Sequence, residues 1–285
     1  MFELSELESL KVPEKENLML VDCLNLSFRW MHRGQTDFAG EYLRTITSLA
    51  KSYGAKHVIL LSDKGSSSFR KEIHPEYKGD RKKKHEAQSE EEKKKFAEFF
   101  EGYEKALELA SKSYPLVRFS KVEADDLGAY IVKNYSPRYK HTWLISTDAD
   151  WDLMLSSNVS RFSFVSRKEY QIENMYENSG CDSPEQLVSM KALQGDSGDS
   201  IDGIAGVGNK RAYNLIRTYG SALGLVDALP LDTKKVVENR INQSEDLILR
   251  NLMLVDLLEW HEEAIMHPDQ NNLVKLKEIC DEYLD

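Results

Sequence analysis

The chain has 285 residues, 41% of them hydrophobic, enough to bury a sizeable core in one large domain or two unequal ones. No apolar run approaches the roughly 18 to 20 residues of a membrane span, and MFELSELESLKVPEKENLML lacks a basic region followed by an apolar one, so a cytoplasmic protein is expected. Acids outnumber bases 48 to 38, for a formal charge of -10, which on its face disfavours nucleic acid as a partner.

The first predicted element is NLMLVDCLNL (17–26), an apolar strand interrupted only by Asp22 and Asn25, as expected for a strand buried on both faces. A helix follows near 38–53, and KHVILLSDKG (56–65) repeats the design, an apolar run ending in Asp63. Residues 66–113 form a long insertion. Its first part contains YKGDRKKK (77–84), with five bases including Lys82 and Lys83 against one acid. Its second part places Phe96, Phe99, Phe100, Tyr103 and Leu107 on one face of an amphipathic helix. LVRFSKV (116–122) and HTWLISTDADW (141–151) read as two further strands with the helical ADDLGAYIVKNY between them. Beyond residue 185 helical patterns dominate. Alternating strands and helices predict a doubly wound, mostly parallel α/β sheet, with its ligand site outside the carboxyl ends of the strands. The expected division is a core of 1–190 and a helical region of 191–285. Cys23, Cys181 and Cys280 have neither disulfide nor zinc spacing and are expected to be buried apolar residues.

The acids fall where that ligand site should lie. Besides Asp22 and Asp63, Glu123, Asp125 and Asp126 stand at a strand-to-helix junction. With Ala124 opening the helix, Glu123 and Asp126 share a side and Asp125 points about 100° away. Asp148 and Asp150 would point the same way on an extended backbone, and Asp196 and Asp199 would share a helical face. Any one pair is more often a cap or a turn. Nine carboxylates converging on one edge need cations, because like charges a few ångströms apart raise one another's pKa. A ligand set of oxygens without His or Cys suits Mg²⁺ or Mn²⁺, and two such ions about 4 Å apart suit phosphodiester hydrolysis.

IDGIAGVGNKRAYNLI (201–216) fits a helix-hairpin-helix: Gly206 and Gly208 allow a tight turn, the next helix's amides can point at a phosphate, and Lys210 and Arg211 add charge. Such a hairpin reads backbone without sequence preference. Asp202 reads as a turn or cap residue.

LMLVDCLNLSFR, LLSDKG, PEYKGDR, VEADD, ISTDADWD, LQGDSGDSIDGIAGVGNKR and RNLMLVDL together resemble the 5′-nuclease or flap endonuclease family, most closely its short stand-alone bacteriophage members. The resemblance implies a DNase that threads or clamps a 5′ single strand under an arch formed by 66–113. One metal site would use Asp22, Asp63, Glu123, Asp125 and Asp126, and the other Asp148, Asp150, Asp196 and Asp199. It further implies that Lys78 and Arg81 contact the scissile phosphate, that Tyr77 stacks on a base with Arg29 nearby, and that the hairpin holds duplex DNA with K⁺ at its carbonyls. A monomer acting on 5′ flaps or 5′ ends of DNA is the expected reading. RNA primers in hybrids are the alternative substrate, and a non-catalytic module for branched DNA the alternative class.

Overall fold

The computed structural model describes residues 16–232 and 236–284; the opening stretch 1–15, on which the reading of the N-terminus rested, lies outside the described residues. A six-stranded sheet is built from β1 (Asn17–Asp22), β2 (Ala55–Leu61), β3 (Leu116–Val117), β4 (His141–Ile145), β5 (Val159–Ser163) and β6 (Lys168–Tyr170). Its order is β3-β2-β1-β4-β5-β6, parallel throughout except for the antiparallel β5–β6 hairpin. Because β1 pairs with both β2 and β4, the chain winds outward in both directions from β1, and a crevice opens at the carboxyl ends of β1 and β4.

Helices cover both faces, which is why β1 is continuously apolar. Successive strand residues point to opposite sides. Leu18 and Leu20 pack with Leu127 and Ile131 of α6 (Ala124–Tyr135), while Met19 and Val21 pack with Trp30 of α1 (Cys23–Met31) and Ile46 of α2 (Ala39–Ser52). Full burial of each such side chain stabilises the fold by about 1.5 to 3 kcal/mol.

The 66–113 segment divides into α3 (Ser68–Ile73), α4 (Gly79–Glu86) and α5 (Glu90–Ser111). Phe99, Tyr103 and Leu107 of α5 are buried against α1 and α2, so the second half of this helix belongs to the core. The exposed part of the insertion is narrower than the sequence suggests: α4 and the first turns of α5, where Lys95 pairs with Glu91 at 2.7 Å.

After β6 come α7 (Met175–Ser179) and α8 (Pro184–Gln194), then two residue pairs, β7 (Gly195–Asp196) and β8 (Ile201–Asp202), joined antiparallel. α9 (Asn209–Tyr219), α10 (Ala222–Asp227), α11 (Val236–Asn242) and α12 (Glu245–Val255) enclose a separate cluster containing Ile204, Val207, Ala212 and Ile216. α13 (Leu257–Met266) and α14 (Asn271–Leu284) return to cover the α6 face. Cys23, Cys181 and Cys280 are all buried and free. Among the described residues no helix is long and apolar enough to cross a membrane.

Candidate active site

Each strand end delivers its acid for a local reason. Asp22 ends β1 and caps α1, accepting the Asn25 N–H at 3.2 Å and the Ser146 hydroxyl at 2.8 Å. Asp63 follows β2 and accepts the Ala124 N–H, tying it to the start of α6. Asp148 follows β4 and caps a short, tightly wound helical segment (149–154), accepting the Asp150 N–H at 3.0 Å. The backbone is therefore turned there, where an extended one was expected, because the first carboxylate folds back to satisfy a free amide. Asp196 likewise caps the turn 197–199, so Asp196 and Asp199 do not share a regular helical face.

One cavity at the crevice is lined by Asp22, Asp63, Glu123, Asp125, Asp148, Asp150, Asp196 and Asp199 together with Lys78 and Arg81. Eight of the nine expected carboxylates thus converge. Asp126 does not line it. It is fully buried and held bidentately by Arg70, both contacts at 2.7 Å, while the Arg70 Nε donates to the Leu254 carbonyl at 2.9 Å.

The electrostatics divide the cavity. Burial first, then neighbouring Asp63, pushes Asp22 well above the usual carboxylate range. Asp63 is raised to about 6 by burial and then by Glu123. Asp125 rises through burial and then Asp126. Glu123 runs the other way: burial opposes its charge, but Lys78 at 2.8 Å and Arg70 at 3.6 Å outweigh it, and it is held at about 2. Lys78 is not an exposed surface lysine. Its side chain is 14% exposed, and although burial opposes its charge, Glu123 and Asp199 keep it firmly protonated.

Tyr77 is a correction. It is 2% exposed, and its hydroxyl donates to Glu123 at 2.9 Å and to Asp199 at 3.1 Å, so the ring is packed inside and offers no face for a base. Arg81 reaches Asp199 at 2.7 Å. Lys83 is exposed and pairs with Asp80 at 3.1 Å, and the Lys82 side chain lies outside the described residues. Arg29 does not line the acid cavity; it lines a second groove with Arg44 and Arg167.

The hairpin residues Gly206, Gly208, Lys210 and Arg211 line a single surface depression. Gly206 has φ 89°, which glycine alone adopts readily, and its carbonyl accepts from Arg211, as that of Ala205 does from Arg240. Among the described residues Asp202 caps no helix; it is exposed and lies in the β7–β8 pair. That pair links cavity to hairpin, and it requires glycine at two positions the sequence reading passed over. A Cβ on Gly203 would stand 2.0 Å from the Gln194 carbonyl, and one on Gly195 would stand 2.3 Å from that of Ile201.

Sequence reasoning also missed Arg70, Lys191 and Asn251. Lys191 bridges Asp150 at 2.5 Å and Asp196 at 2.6 Å. Asn251 donates to the carbonyls of Ala192 and Asp202, both at 2.9 Å. The available signal was RNLMLVDL, whose Asn251 and Leu254 carbonyl anchor the two halves of the site.

The donor set fits divalent cations. The eight carboxylates lining the cavity offer oxygen alone, without His or Cys. A doubly wound sheet with this acidic edge, set beside a helix-hairpin-helix, defines a class of metal-dependent nucleases.

Family comparisons narrow the class. The sequence model of the 5'-3' exonuclease N-terminal resolvase-like domain matches residues 17–180, and that of the C-terminal SAM fold matches 182–270. The chain belongs to the 5'-3' exonuclease family. It is 47% identical over 271 residues to the flap endonuclease of Escherichia phage T5, covering 95% of this chain and 93% of that one. It is 28% identical over 231 residues to the 5'-3' exonuclease of Bacillus subtilis, covering 75% and 74%. A crystal structure of the T5 flap endonuclease as a pseudo-enzyme-product complex with DNA and metal ions superposes with a TM-score of 0.91, covering 94% of this chain and 98% of that one.

Proposed function

We propose that this flap endonuclease and 5'-3' exonuclease hydrolyses DNA phosphodiesters near junctions of single and double strand, using two Mg²⁺ ions held by the acid cavity. The carrying observation is one cavity that unites eight carboxylates with Lys78 and Arg81 and connects through a two-residue strand pair to the glycine hairpin that carries Lys210 and Arg211. When bound, the cations neutralise the carboxylates and polarise the scissile phosphate and its attacking water.

The chain's own groups do the rest. Asp22, Asp63, Glu123 and Asp125 hold one ion, and Asp148, Asp150, Asp196 and Asp199 the other, through water where the oxygens stand back. Asp126 acts behind them, as Arg70's partner. Lys78 and Arg81 stabilise charge growing on the phosphoryl oxygens. Lys78 is already desolvated and fixed by Glu123 and Asp199, so little reorganisation is needed when the phosphate arrives. Lys210, Arg211 and the amides after Gly208 hold the duplex backbone. Tyr77 takes no base; it orients Glu123 and Asp199.

The test is a 5′-labelled flap duplex incubated with Mg²⁺ or with chelator. Chelation is expected to abolish cleavage, and Lys78→Ala to lower the rate by about 10² to 10³ while DNA binding persists. Chelator-resistant cleavage, or an undiminished Lys78→Ala rate, would sink the reading.

A further inference from the structure

Among the described residues four other than glycine are held at positive φ, and two of them meet beside the acid cavity. Lys78 has φ 55° and Ser200 has φ 60°, in the left-handed region that residues with a Cβ rarely adopt. They come together through the main chain. The Lys78 N–H donates to the Asp199 carbonyl at 2.9 Å, and the Asp80 N–H donates to the Ser200 hydroxyl at 3.4 Å. Strained backbone of this kind persists only where its surroundings fix it.

A side chain from α3 reaches this bend. His74 ends the helix, its own N–H donating to the Arg70 carbonyl at 2.8 Å and its carbonyl accepting the Tyr77 N–H at 2.9 Å. Its Nε2 lies 2.8 Å from the Ser200 carbonyl oxygen. A carbonyl only accepts, so Nε2 carries the hydrogen, and the bond holds whatever the state of Nδ1. His74 does not line the acid cavity, whereas Asp199, the residue before Ser200, does.

The same helix is anchored to the other acids. Arg70, one turn before His74, grips Asp126 bidentately, with both contacts at 2.7 Å, and stands 3.6 Å from Glu123. α3 therefore joins the 123–126 junction, through Arg70, to the bend after Asp199, through His74. Tyr77, Lys78 and Arg81 also send side chains to Asp199, but to its carboxylate, whose oxygens a cation would claim. His74 bonds the main chain instead and leaves those oxygens free.

We propose that His74 is a positioning residue for the cation assigned to Asp148, Asp150, Asp196 and Asp199: by holding the Ser200 carbonyl it keeps the left-handed bend, and Asp199 with it, at a fixed place relative to the carboxylates held by Arg70. The inference rests on the two-cation reading above. Ties that lie behind the ligands are commonly worth about ten- to a hundredfold in metal affinity.

The test is a calorimetric titration of Mn²⁺ into DNA-free protein, in which wild type is expected to bind two ions. His74→Ala should weaken one of them about tenfold and leave the other within about twofold. His74→Gln, whose amide can still donate to the Ser200 carbonyl, should recover most of the loss. In Asp199→Asn protein, which already lacks the carboxylate through which His74 acts, adding His74→Ala should cost less than about twofold more. With metal chelated, His74→Ala should bind a one-armed 5′-overhang duplex within about twofold of wild type. Equal weakening of both ions, no weakening, no recovery with Gln, an additive loss in Asp199→Asn protein or a parallel loss of DNA binding overturns the proposal. Wild type taking up fewer than two Mn²⁺ ions would sink the two-cation reading instead.

Discussion

At the scale of single residues, the site is governed by which charges are paired. Arg70 and Asp126 are both buried, and removing either strands the other in a low-dielectric interior. Arg70→Gln is therefore expected to cost about 3 to 5 kcal/mol in urea unfolding, most of it recovered by adding Asp126→Asn. A cost under about 1 kcal/mol would show the pair to be peripheral.

Asp63 makes a prediction of opposite sign. Its carboxyl rises from 3.8 in the unfolded chain to about 6 in the fold, through burial first and Glu123 second. The folded state holds the proton more tightly, so metal-free stability falls as pH rises from about 4 to about 6 and stays lower above that. Glu123, lowered from 4.5 to about 2, contributes stability that is complete above its unfolded value and is lost as pH falls through about 2. In metal-free protein Asp63→Asn should raise the melting temperature at about pH 7.5 by a few degrees and have little effect near pH 4. An equal shift at both pH values would contradict this account.

At the scale of elements, the β7–β8 pair determines where Asp196 stands, and it exists only because two backbones approach without side chains between them. Gly203→Ala would push a methyl group into the Gln194 carbonyl, and Asp196 would have to move with the displaced strand. The expected result is a loss of about 2 kcal/mol or more in stability, together with weaker metal binding by calorimetry. Unchanged metal affinity would mean that Asp196 is positioned by Lys191 and the 197–199 turn alone.

The elements also show what could be read in advance. β1, β2 and β4 were legible because a strand buried on both faces is a continuous apolar run. β5 and β6 were not, since VSRFS and KEY are short and polar. β5 tolerates a buried Arg161 only because Asp152 grips it bidentately, at 2.7 and 2.8 Å, a partner no spacing rule reveals. The acids were legible by their place at strand ends. The places of Asp126 and Tyr77 were not, because each depends on a partner supplied from far along the chain. Asp126 and Arg70 stand 56 residues apart, and Tyr77 and Asp199 stand 122 apart.

At the scale of the molecule, a net charge of -10 should repel DNA, and the resolution lies in where the opposite charges sit. Eight of the 48 acids line one cavity, where bound cations would cancel them, while the exposed hairpin presents Lys210 and Arg211 to solvent. Long-range repulsion is screened within about 10 Å at 0.1 M salt, so DNA meets the local basic surface more than the overall charge. Two consequences follow for a variant with Lys210→Ala and Arg211→Ala. Affinity for a one-armed duplex should fall, and the slope of log affinity against log salt should shrink by about 2, because two phosphate contacts are gone. The rate at saturating DNA and Mg²⁺ should change little, since neither residue lines the acid cavity. If the slope stays at its wild-type value, the hairpin is not a charge grip, and if the saturated rate collapses, grip and cut are not separable functions of this fold.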